Sequence, residues 1–548
     1  MSDPSQSSTP AEASTPSTTA PYYISTAIPY VNGRPHMGHA LEYIETDAFA
    51  RFQRLRGRDV RFQTGSDENS LKNVQAAEKE GVSTADLVER NAQYFVDLRE
   101  GLGLSFDDFI RTSAEPLHAA GAGKLWRACA ARGDLYRKTY EGLYCVGCEQ
   151  FYAPDELVDG RCPEHGTVPE RVEEENWFFR LSRYQADLER LIESDELRVS
   201  PATRKNEVLS FVRRGLDDFS VSRSEARAKG WGIRVPDDPG QVMYVWVDAL
   251  SNYITALDYA NEGPAYRRWW LEGPDRVHVI GKGIIRFHAV YWPALLLSAG
   301  VPLPTEIFVH GYVTTGGSKM SKSLGNVLDP VELAAEYGID ALRYYLLRHI
   351  RSTEDGDFTL PRFVAAHNAD LADQLGNLLR RTTNMTNRYF GGLVPTPIDG
   401  ALEAEAAPLV EAAVSLGDRV AAAMQDYLPH EALDAVWQVL AEANRFLVVV
   451  EPWQVAKRRA EPAEEARLAT CLYDVAEALR LVAFALQPFL PTTADAVARQ
   501  LGLADARGGD DWAAGTAWGR LAPGTAVAEG AVLFPKFEVP VGEDEATG

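Results

Sequence analysis

Residues 21–70 read PYYISTAIPYVNGRPHMGHALEYIETDAFARFQRLRGRDVRFQTGSDENS, and this stretch decides the fold class. It opens with a short apolar, β-rich run that ends in a strong turn signal at residues 29–33. From about residue 36 to residue 56, apolar residues including Leu41, Ile44 and Phe49 recur with helical spacing. Residues 59–70 predict a second strand that runs into a turn. Strand, loop, helix and strand in this order indicate the opening of a parallel α/β unit.

The rest of the chain predicts an α/β domain that is interrupted by an insertion and followed by helices. Residues 141–171 break the α/β pattern, because they are rich in turns and hold three of the five cysteines. Residues 370–501 are rich in Ala and Leu with helical periodicity, which predicts a helical bundle. Strand-like stretches are predicted at residues 241–250, 276–281 and 306–313, and a last short strand at residues 531–539.

Composition limits where the protein works and what it binds. Of 548 residues, 45% are hydrophobic and 24% are charged, so most of the chain can fold around cores. No stretch approaches the roughly 18 uninterrupted apolar residues of a membrane helix, and the Ser/Thr/Pro-rich residues 1–20 predict a disordered tail without a secretory signal. We therefore expect a cytoplasmic protein that does not enter membranes. The net charge of −23 disfavours non-specific coating of nucleic acid, but basic clusters at residues 380–381 and 457–459 leave local binding open.

Two short motifs carry chemistry that suits a nucleoside triphosphate. HMGH, residues 36–39, stands where the first helix should begin, and a helix N-terminus favours phosphate through its free N–H groups and positive dipole. The glycine between the histidines leaves room for a flat base. KMSKS, residues 319–323, follows a Gly- and Ser-rich loop, from which two lysines can close on a triphosphate and stabilise charge in the transition state. Each motif alone is a weak signal. HMGH could be two polar residues at a helix start, and KMSKS could be an exposed basic loop.

The ordered pair of motifs is more specific than either motif alone. HxGH after the first strand, with KMSKS near the end of the same α/β domain, is the signature of class I aminoacyl-tRNA synthetases. Residues 22–539 resemble the methionyl-tRNA synthetase family. The stretches that match in family order at family-like spacing are STAIPYVNGRPHMGHALEYIETD, NEVLSFVRRGLDDFSVSR, VMYVWVDALSNY, GKGIIRFHAVYWPALLLSAG and KMSKSLGNVLDP.

The resemblance implies a fold, a reaction and the residues that handle ATP. The fold would be α/β: a Rossmann-type parallel-sheet catalytic domain, split by a zinc-bearing connective insertion and followed by an α-helical bundle that binds the anticodon. The enzyme would activate L-methionine with ATP and Mg²⁺ to methionyl-adenylate and transfer methionine to tRNA(Met). The resemblance makes His36, His39, Lys319 and Lys322 the catalytic residues, and Gly38, Met320, Ser321 and Ser323 further ATP-binding residues.

A mostly aromatic methionine pocket is also implied by the matching motifs. Such a pocket suits an unbranched thioether, because sulfur packs well against ring edges. Each aromatic residue taken singly would be ordinary core. Asp67 matches the carboxylate that receives the ammonium group of the substrate. The other pocket residues carried over are Ile28, Tyr30, Trp246, Ala249, Tyr253, Phe287, His288 and Trp292.

The clustered cysteines predict a zinc site. Cys145-x2-Cys148 and Cys162-x2-His165 form two ligand pairs of the kind that tetrahedral zinc requires. A disulfide or inert free thiols are the alternatives. In the resembled family this knuckle is structural and more often has a cysteine in the fourth place. The remaining cysteines, Cys129 and Cys471, stand in helical contexts and are predicted core residues.

The helical part carries the residues that read the CAU anticodon in the resembled family. Asn377 and Arg381 are one helical turn apart and project from one face, and Trp453 would stack on a base. A bland alternative is a surface Asn–Arg pair beside a half-buried tryptophan. The predicted divisions are a tail at 1–20, catalytic halves at 21–132 and 236–325, the insertion at 133–235, a stem-contact linker at 326–370, the anticodon domain at 371–530 and a strand and tail at 531–548. Since no dimerisation module follows, we expect a monomer.

Two other function classes compete with a tRNA ligase. A tRNA-independent paralogue would have no reason to keep Asn377, Arg381 and Trp453. A non-enzymatic zinc-knuckle RNA-binding protein would not need both HMGH and KMSKS.

The chain also departs from the family pattern at its pocket. Relatives usually have Thr-Asp-Glu-His-Gly where this chain has SDENS at residues 66–70, and Gly-Lys-Asp where it has GKG at residues 281–283. The departures at Asn69, Ser70 and Gly283 are either compensated subgroup variation or mark a second-copy enzyme. Such an enzyme would resist an inhibitor or accept a methionine analogue.

Overall fold

The computed structural model describes residues 20–147, 150–164, 166–315, 318–319, 328–509 and 511–539, with the backbone alone at 140, 150, 318 and 319. In these residues the strands are β1 (Pro21–Thr26), β2 (Asp59–Ser66), β3 (Asp108–Arg111), β4 (Leu135–Cys145), β5 (Gln150–Tyr152), β6 (Glu170–Phe179), β7 (Arg198–Ser200), β8 (Phe219–Ser220), β9 (Ser222–Ser224), β10 (Arg234–Val235), β11 (Asp238–Met243), β12 (Asp275–Gly281), β13 (Glu306–His310), β14 (Val313–Thr315), β15 (Ser318–Lys319) and β16 (Gly356–Asp357).

Helices surround these strands and then make up most of the second half of the chain. In order they are α1 (Met37–Leu55), α2 (Leu71–Glu80), α3 (Thr84–Val96), α4 (Leu98–Gly101), α5 (Pro116–Ala131), α6 (Gln185–Glu193), α7 (Ala202–Arg213), α8 (Val245–Thr255), α9 (Trp292–Ala299), α10 (Pro330–Tyr337), α11 (Ile339–Arg348), α12 (Leu360–Ala366), α13 (Asn377–Phe390), α14 (Glu403–Val414), α15 (Leu416–Gln425), α16 (Pro429–Val450), α17 (Pro452–Val455), α18 (Pro462–Leu486), α19 (Pro491–Gln500) and α20 (Trp512–Gly515). No helix in the described ranges is long and apolar enough to cross a membrane.

A parallel sheet forms the centre of the α/β part. Among the described residues it has six strands in the order β3-β2-β1-β12-β13-β7. Strand β1 lies between β2 and β12, so the chain winds outward in one direction from β1 to β3 and in the other from β12 to β13. Such a reversal opens a crevice at the carboxyl ends of the two central strands. The predicted Rossmann-type sheet is confirmed.

Alternation along β1 divides its side chains between two hydrophobic cores. Tyr22 and Ile24 belong to a large core that contains α1 and α11 and continues into the helical part. Tyr23 points to the opposite face, into a core built from α5, α8 and α9. Because successive residues of a strand point to opposite faces, a strand with apolar residues at both sets of positions is buried on both sides.

The insertion between β3 and β12 has its own antiparallel sheet, in the order β5-β4-β6-β8. A long antiparallel ladder pairs β4 with β6, from Leu135 opposite Phe179 to Tyr144 opposite Glu170. Strand β7 leaves the insertion and adds to the edge of the central sheet beside β13. The insertion is therefore fixed to the sheet at its far edge.

The helical part packs directly beneath the amino ends of the sheet strands. The loop between α15 and α16 places Tyr427 in the left-handed backbone region, with φ of 57°. Its ring stacks on Phe308 of β13 at 4.7 Å and meets Phe49 of α1 edge-on at 4.9 Å. Its hydroxyl donates to Oε2 of Glu306 at 3.0 Å. Tyr427 therefore completes a core that belongs to the α/β part.

A buried ion pair makes a second junction between the two parts. The guanidinium of Arg343 in α11 lies 2.8 Å from Asp47 of α1, and both side chains are fully buried. Arg343 also donates to the carbonyl oxygens of Pro488 and Phe489, at 3.2 and 2.7 Å. Since a buried charge is costly without partners, these contacts hold α1, α11 and the end of α18 together.

Two predicted elements differ from the structure. Residues 241–250 are not one strand, because β11 ends at Met243 and α8 begins at Val245. A helix buried on all sides is apolar on all sides, so the pattern here does not separate it from a buried strand. The predicted strand at residues 531–539 is wrong: this segment has no strand pairing, and Asn368 holds it by bonding the N–H and C=O groups of Phe537 at 3.0 and 2.7 Å.

Candidate active site

A cavity of about 520 Å³ opens at the carboxyl ends of the central strands. It lies where the strand order reverses, between the residues that follow β1 and those that follow β12 and β13. The sequence-predicted residues on its wall are Ile28, Tyr30, His36, Gly38, His39, Asp67 and Trp246. Open α/β sheets bind ligands at this position, so the fold itself marks the cavity as the site.

The two histidines of HMGH form the start of α1. His36 is the N-cap: its Nδ1 accepts from the N–H of Gly38 at 3.1 Å, while Nδ1 of His39 accepts from the N–H of His36 at 3.2 Å. The two rings stack at 3.8 Å. A Cβ on Gly38 would lie only 3.0 Å from the His36 ring, so the glycine makes room for the ring in this arrangement. Both imidazoles thus stand at the positive end of a 19-residue helix, where phosphate binds well.

Asp67 and Tyr30 lie side by side on the cavity wall. The N–H of Asp67 donates to the carbonyl of Pro29 at 2.8 Å, and residues 30 and 67 form an isolated parallel bridge. Asp67 is buried, yet its side chain borders the cavity. Lys72, which the sequence did not single out, places its ammonium 4.7 Å from the centre of the Tyr30 ring. This corner can hold a ligand ammonium at Asp67.

The predicted aromatic residues meet in one cluster, but they are not all on the cavity wall. Trp246 lines the cavity and stacks flat on Phe287 at 3.7 Å. Behind these rings lie the other predicted residues, which are buried: Ala249, Tyr253, His288 and Trp292. The structure therefore brings the set together as a wall with a second layer behind it.

The second layer keeps two histidines neutral. Nδ1 of His288 donates to the carbonyl of Ile284 at 2.9 Å, so its Nε2 accepts from the hydroxyl of Tyr253 at 2.7 Å. Burial lowers the pKa of His288 to about 4. His278, a residue missed in the sequence, lies 3.9 Å from the Tyr253 ring, and burial lowers its pKa well below the usual value. An uncharged wall of this kind suits an apolar substrate side chain.

Glu42 and His310 are two further cavity residues that the sequence did not reveal. Glu42 accepts from the N–H of Ala27 at 2.9 Å and from Nε2 of His310 at 2.8 Å. Nδ1 of His310 contacts the carbonyl of Gly311 at 2.7 Å. Burial opposes protonation of His310, but the hydrogen bond to Glu42 and the charges of Glu42 and Glu45 raise its pKa overall. Acceptors at both nitrogens favour the imidazolium form of His310, which ties α1 to the end of β13.

Most of the KMSKS motif lies outside the described residues. Lys319 is described by its backbone in β15, which pairs antiparallel with β14, Lys319 opposite Thr314. Met320, Ser321, Lys322 and Ser323 are among the residues that are not described. Their predicted roles at ATP remain predictions.

Half of the predicted zinc ligands can be examined. The thiols of Cys145 and Cys162 are buried in one small cluster with Tyr152, and neither forms a disulfide with another described cysteine. Cys162 begins a tight turn, in which its carbonyl accepts from the N–H of Gly166 at 2.8 Å. Cys148 and His165 lie outside the described residues, and the described part contains no group of three metal-ligating side chains. Two buried cysteines in one cluster suit a thiolate-binding metal ion such as zinc. Cys129 and Cys471 are buried in α5 and α18, as predicted.

The predicted anticodon residues lie together on the helical part. The guanidinium of Arg381 in α13 stands 5.5 Å from the centre of the Trp453 ring in α17. Asn377 is exposed at the first turn of α13, and Trp453 is half-buried. A cation held beside an aromatic face on an accessible surface can receive an unstacked base.

Comparison with known proteins identifies the family. The model of class I tRNA synthetases (M) matches residues 22–172 and 154–383, and that of the anticodon binding domain of methionyl tRNA ligase matches residues 397–545. The chain belongs to the methionyl-tRNA synthetase family. Over 525 residues it is 44% identical to Methionine--tRNA ligase of Mycobacterium bovis, covering 95% of this chain and 98% of that one. It is 48% identical over 479 residues to Methionine--tRNA ligase of Brucella suis, covering 86% and 90%.

Solved synthetase structures agree with the fold. Mycobacterium tuberculosis methionyl-tRNA synthetase in complex with methionyl-adenylate superposes with a TM-score of 0.89, at 44% identity, over 94% of this chain and all of that chain. The apo form of the same synthetase gives a TM-score of 0.83, at 41% identity, over 95% and 99%. These relatives are named as methionine–tRNA ligases or methionyl-tRNA synthetases, and they give no support to the second-copy alternative.

Each departure from the synthetase pattern has a local partner. Asn69 donates to Oδ2 of Asp248 at 2.8 Å. This hydrogen bond fixes the carboxylate of Asp248, which follows Trp246 by two residues in α8. Ser70 caps α2 by accepting from the N–H of Lys72 at 3.0 Å. Gly283 stands against the hydroxyl of Tyr312. Local compensation is therefore visible at Asn69 and Ser70.

Proposed function

We propose that this synthetase is a methionine–tRNA ligase that forms methionyl-adenylate from L-methionine and ATP with Mg²⁺, then transfers methionine to the 3′ end of tRNA(Met). One observation supports this most directly. The N-terminus of α1, the Asp67 carboxylate and the Trp246 ring border the same cavity. Phosphate, ammonium and thioether groups each find a suitable partner there.

Methionine would lie with its ammonium at Asp67 and its side chain against Trp246 and Tyr30. Ile28 adds apolar surface, and Phe287 supports Trp246 by stacking on it. The methionine carboxylate attacks the α-phosphorus of ATP, an oxygen–phosphorus bond forms, and pyrophosphate leaves with the electrons of the broken bond. In the second step the terminal ribose hydroxyl of tRNA attacks the acyl carbon, and AMP leaves.

The chain supplies electrostatic stabilisation and no covalent intermediate. His36 and His39, at the positive end of α1, would contact the phosphates, with Gly38 beside them. Lys319 and Lys322 would neutralise charge on the departing pyrophosphate, and Met320, Ser321 and Ser323 would complete this loop. Magnesium bound to ATP would neutralise phosphate charge.

The anticodon face and the zinc knuckle complete the proposal. Asn377 and Arg381 would hydrogen-bond base edges of CAU while Trp453 stacks on a base. Zinc, held by Cys145, Cys148, Cys162 and His165, would stabilise the tip of the insertion without taking part in catalysis. The stem-contact role of residues 326–370, the monomeric state and the cytoplasmic location belong to the same proposal.

Two assays test the proposed function. Exchange of pyrophosphate into ATP should depend on methionine, and charging across all amino acids should load tRNA(Met) with methionine alone. Exchange without charging would indicate the tRNA-independent paralogue. Absence of both reactions would leave the non-enzymatic RNA-binding protein.

For the zinc site, purified protein should contain one zinc per chain, and a Cys148→Ser variant should lose it. Cys129→Ser, a core cysteine outside the knuckle, is the matched control and should keep its metal. A full equivalent of zinc in Cys148→Ser would rule out this ligand set.

A further inference from the structure

The two groups that would hold opposite ends of methionine belong to different elements. Asp67 directly follows β2, whereas Trp246 lies in the first turn of α8. Both residues line the same cavity. The distance between the carboxylate and the indole ring therefore depends on how the loop after β2 is fastened to the first turn of α8.

A hydrogen bond between Asn69 and Asp248 joins these two elements. Asn69 follows Asp67 by two residues, and Asp248 follows Trp246 by two residues. Nδ2 of Asn69 donates to Oδ2 of Asp248 at 2.8 Å and to the carbonyl of Thr112 at 3.3 Å, so both hydrogens of the amide are engaged. The bond thus connects the loop of Asp67 with the turn of Trp246.

Asp248 is a buried carboxylate that depends on its hydrogen-bond partners. Its side chain is 1% exposed, and an unpaired buried carboxylate is costly. Oδ1 lies 2.7 Å from Nε2 of the fully buried His118, and Nδ1 of the same ring lies 2.7 Å from Oγ1 of Thr255, the last residue of α8. His118 therefore holds α8 from the side of α5, and Oδ2 is the oxygen that holds it toward the loop of Asp67.

The effect of this bond on α8 should be confined to the first turn. Asp248 is the acidic residue of that turn, where negative charge suits the positive end of the helix. One turn farther along, Oδ1 of Asn252 accepts from Nε2 of Gln63 in β2 at 2.7 Å, which fixes the body of the helix to the sheet. If Asn69 could not donate, Oδ2 would need a new partner, and the first turn would move to find one. Trp246 would move with it.

We propose that the bond between Asn69 and Asp248 sets the span from Asp67 to Trp246, and that this span selects amino acids whose side chains have the length of methionine. The inference rests on the proposed function, in which Asp67 receives the ammonium group. Since that end of the substrate is fixed, a side chain one methylene longer than methionine would press against the ring of Trp246. Asn69 and Asp248 are positioning residues, because they act through Trp246.

Pyrophosphate exchange with methionine and with ethionine, which has one more methylene, tests the proposal through the ratio of the two kcat/KM values. Asn69→Leu, which removes the donor at similar side-chain size, should lower the ratio of methionine to ethionine by about 10-fold, the lower end of what one methylene is worth in a fitted pocket. Asn69→His, which restores an N–H donor, should keep the ratio of the parent enzyme. Asn69→Ala also lacks the donor and should lower the ratio, and it replaces Asn69→Leu if that variant does not fold.

The ratio separates positioning from a loss of folded enzyme, because unfolded protein lowers kcat/KM for both substrates equally. Asn261→Leu is the matched control: it breaks an exposed bond to Oδ1 of Asp258, 2.8 Å long, and should leave the ratio unchanged. An unchanged ratio in Asn69→Leu and Asn69→Ala would overturn the proposal, and so would a fall in Asn69→His as large as in Asn69→Leu. A parent enzyme without methionine-dependent exchange would instead overturn the proposed function.

Discussion

The cavity and the proposed anticodon face, which consists of Asn377, Arg381 and Trp453, are built in opposite ways. The cavity draws its groups from segments far apart in the chain, which converge because parallel strands end at one edge: Asp67 follows β2, Gly281 ends β12 and His310 ends β13. The anticodon face depends on two helices, with Arg381 beside Trp453. A substitution in the cavity should disturb several contacts and both half-reactions. A substitution on the proposed anticodon face should affect tRNA charging alone.

The largest expected effect is at the lysine loop. Lys322→Ala should slow methionine-dependent pyrophosphate exchange by about 10²–10³, because one donor to the transition state is lost, while methionine binding changes little. Lys229→Ala, a surface lysine paired with Glu78, is the control. An unchanged exchange rate would show that this loop is not catalytic.

Next in size is the loss of one base stack. Trp453→Ala should lower kcat/KM for tRNA charging by about 5- to 150-fold, which corresponds to about 1–3 kcal/mol, and should spare pyrophosphate exchange. An equal fall in both reactions would point to misfolding and would remove the contrast between the two regions.

A smaller effect should appear in the coupling between Arg381 and Trp453. Because their side chains are in contact, the loss in charging efficiency for Arg381→Ala plus Trp453→Ala should be non-additive by about 0.5–1 kcal/mol. Arg380→Ala, the exposed neighbour on α13, should show no coupling to Trp453→Ala. Strict additivity at Arg381 would mean that the two side chains act separately.

The last effect is on stability rather than on a reaction, and it concerns pH and the wall behind Trp246. The unfolded chain protonates His288 near pH 6.5, whereas the folded pKa is about 4, so the unfolded state binds more protons between these values. Stability contributed by this neutral histidine is complete above pH 6.5 and declines as the pH falls, by up to about 1.4 kcal/mol per pH unit. Melting temperatures of the parent and of His288→Gln between pH 7 and 5 should show a shallower decline in the variant. Parallel curves would contradict the assignment.

Local sequence patterns predicted the helices and strands well. The side-chain contacts that they did not predict depend on how distant strands pair. The helix predicted from about residue 36 to residue 56 is observed as α1, Met37–Leu55. The prediction succeeds because the N-cap and the apolar periodicity are both features of the local sequence. Glu42 and His310 form a hydrogen bond because β13 pairs with β12 in one particular register. No local sequence pattern predicts that register. A histidine at the carboxyl end of a predicted parallel strand was nevertheless a usable signal. The contact between Arg381 and Trp453 was reachable from sequence only through family resemblance.

The packing of Tyr427 affects how the protein unfolds on heating. Its ring fills a space between Phe49 and Phe308, so unfolding of the helical part would open a void inside the α/β part. The buried pair of Arg343 and Asp47 links the same elements. We therefore expect the two parts to lose their structure at the same temperature. Calorimetry should record one cooperative transition, and heating should abolish adenylate formation and tRNA charging together.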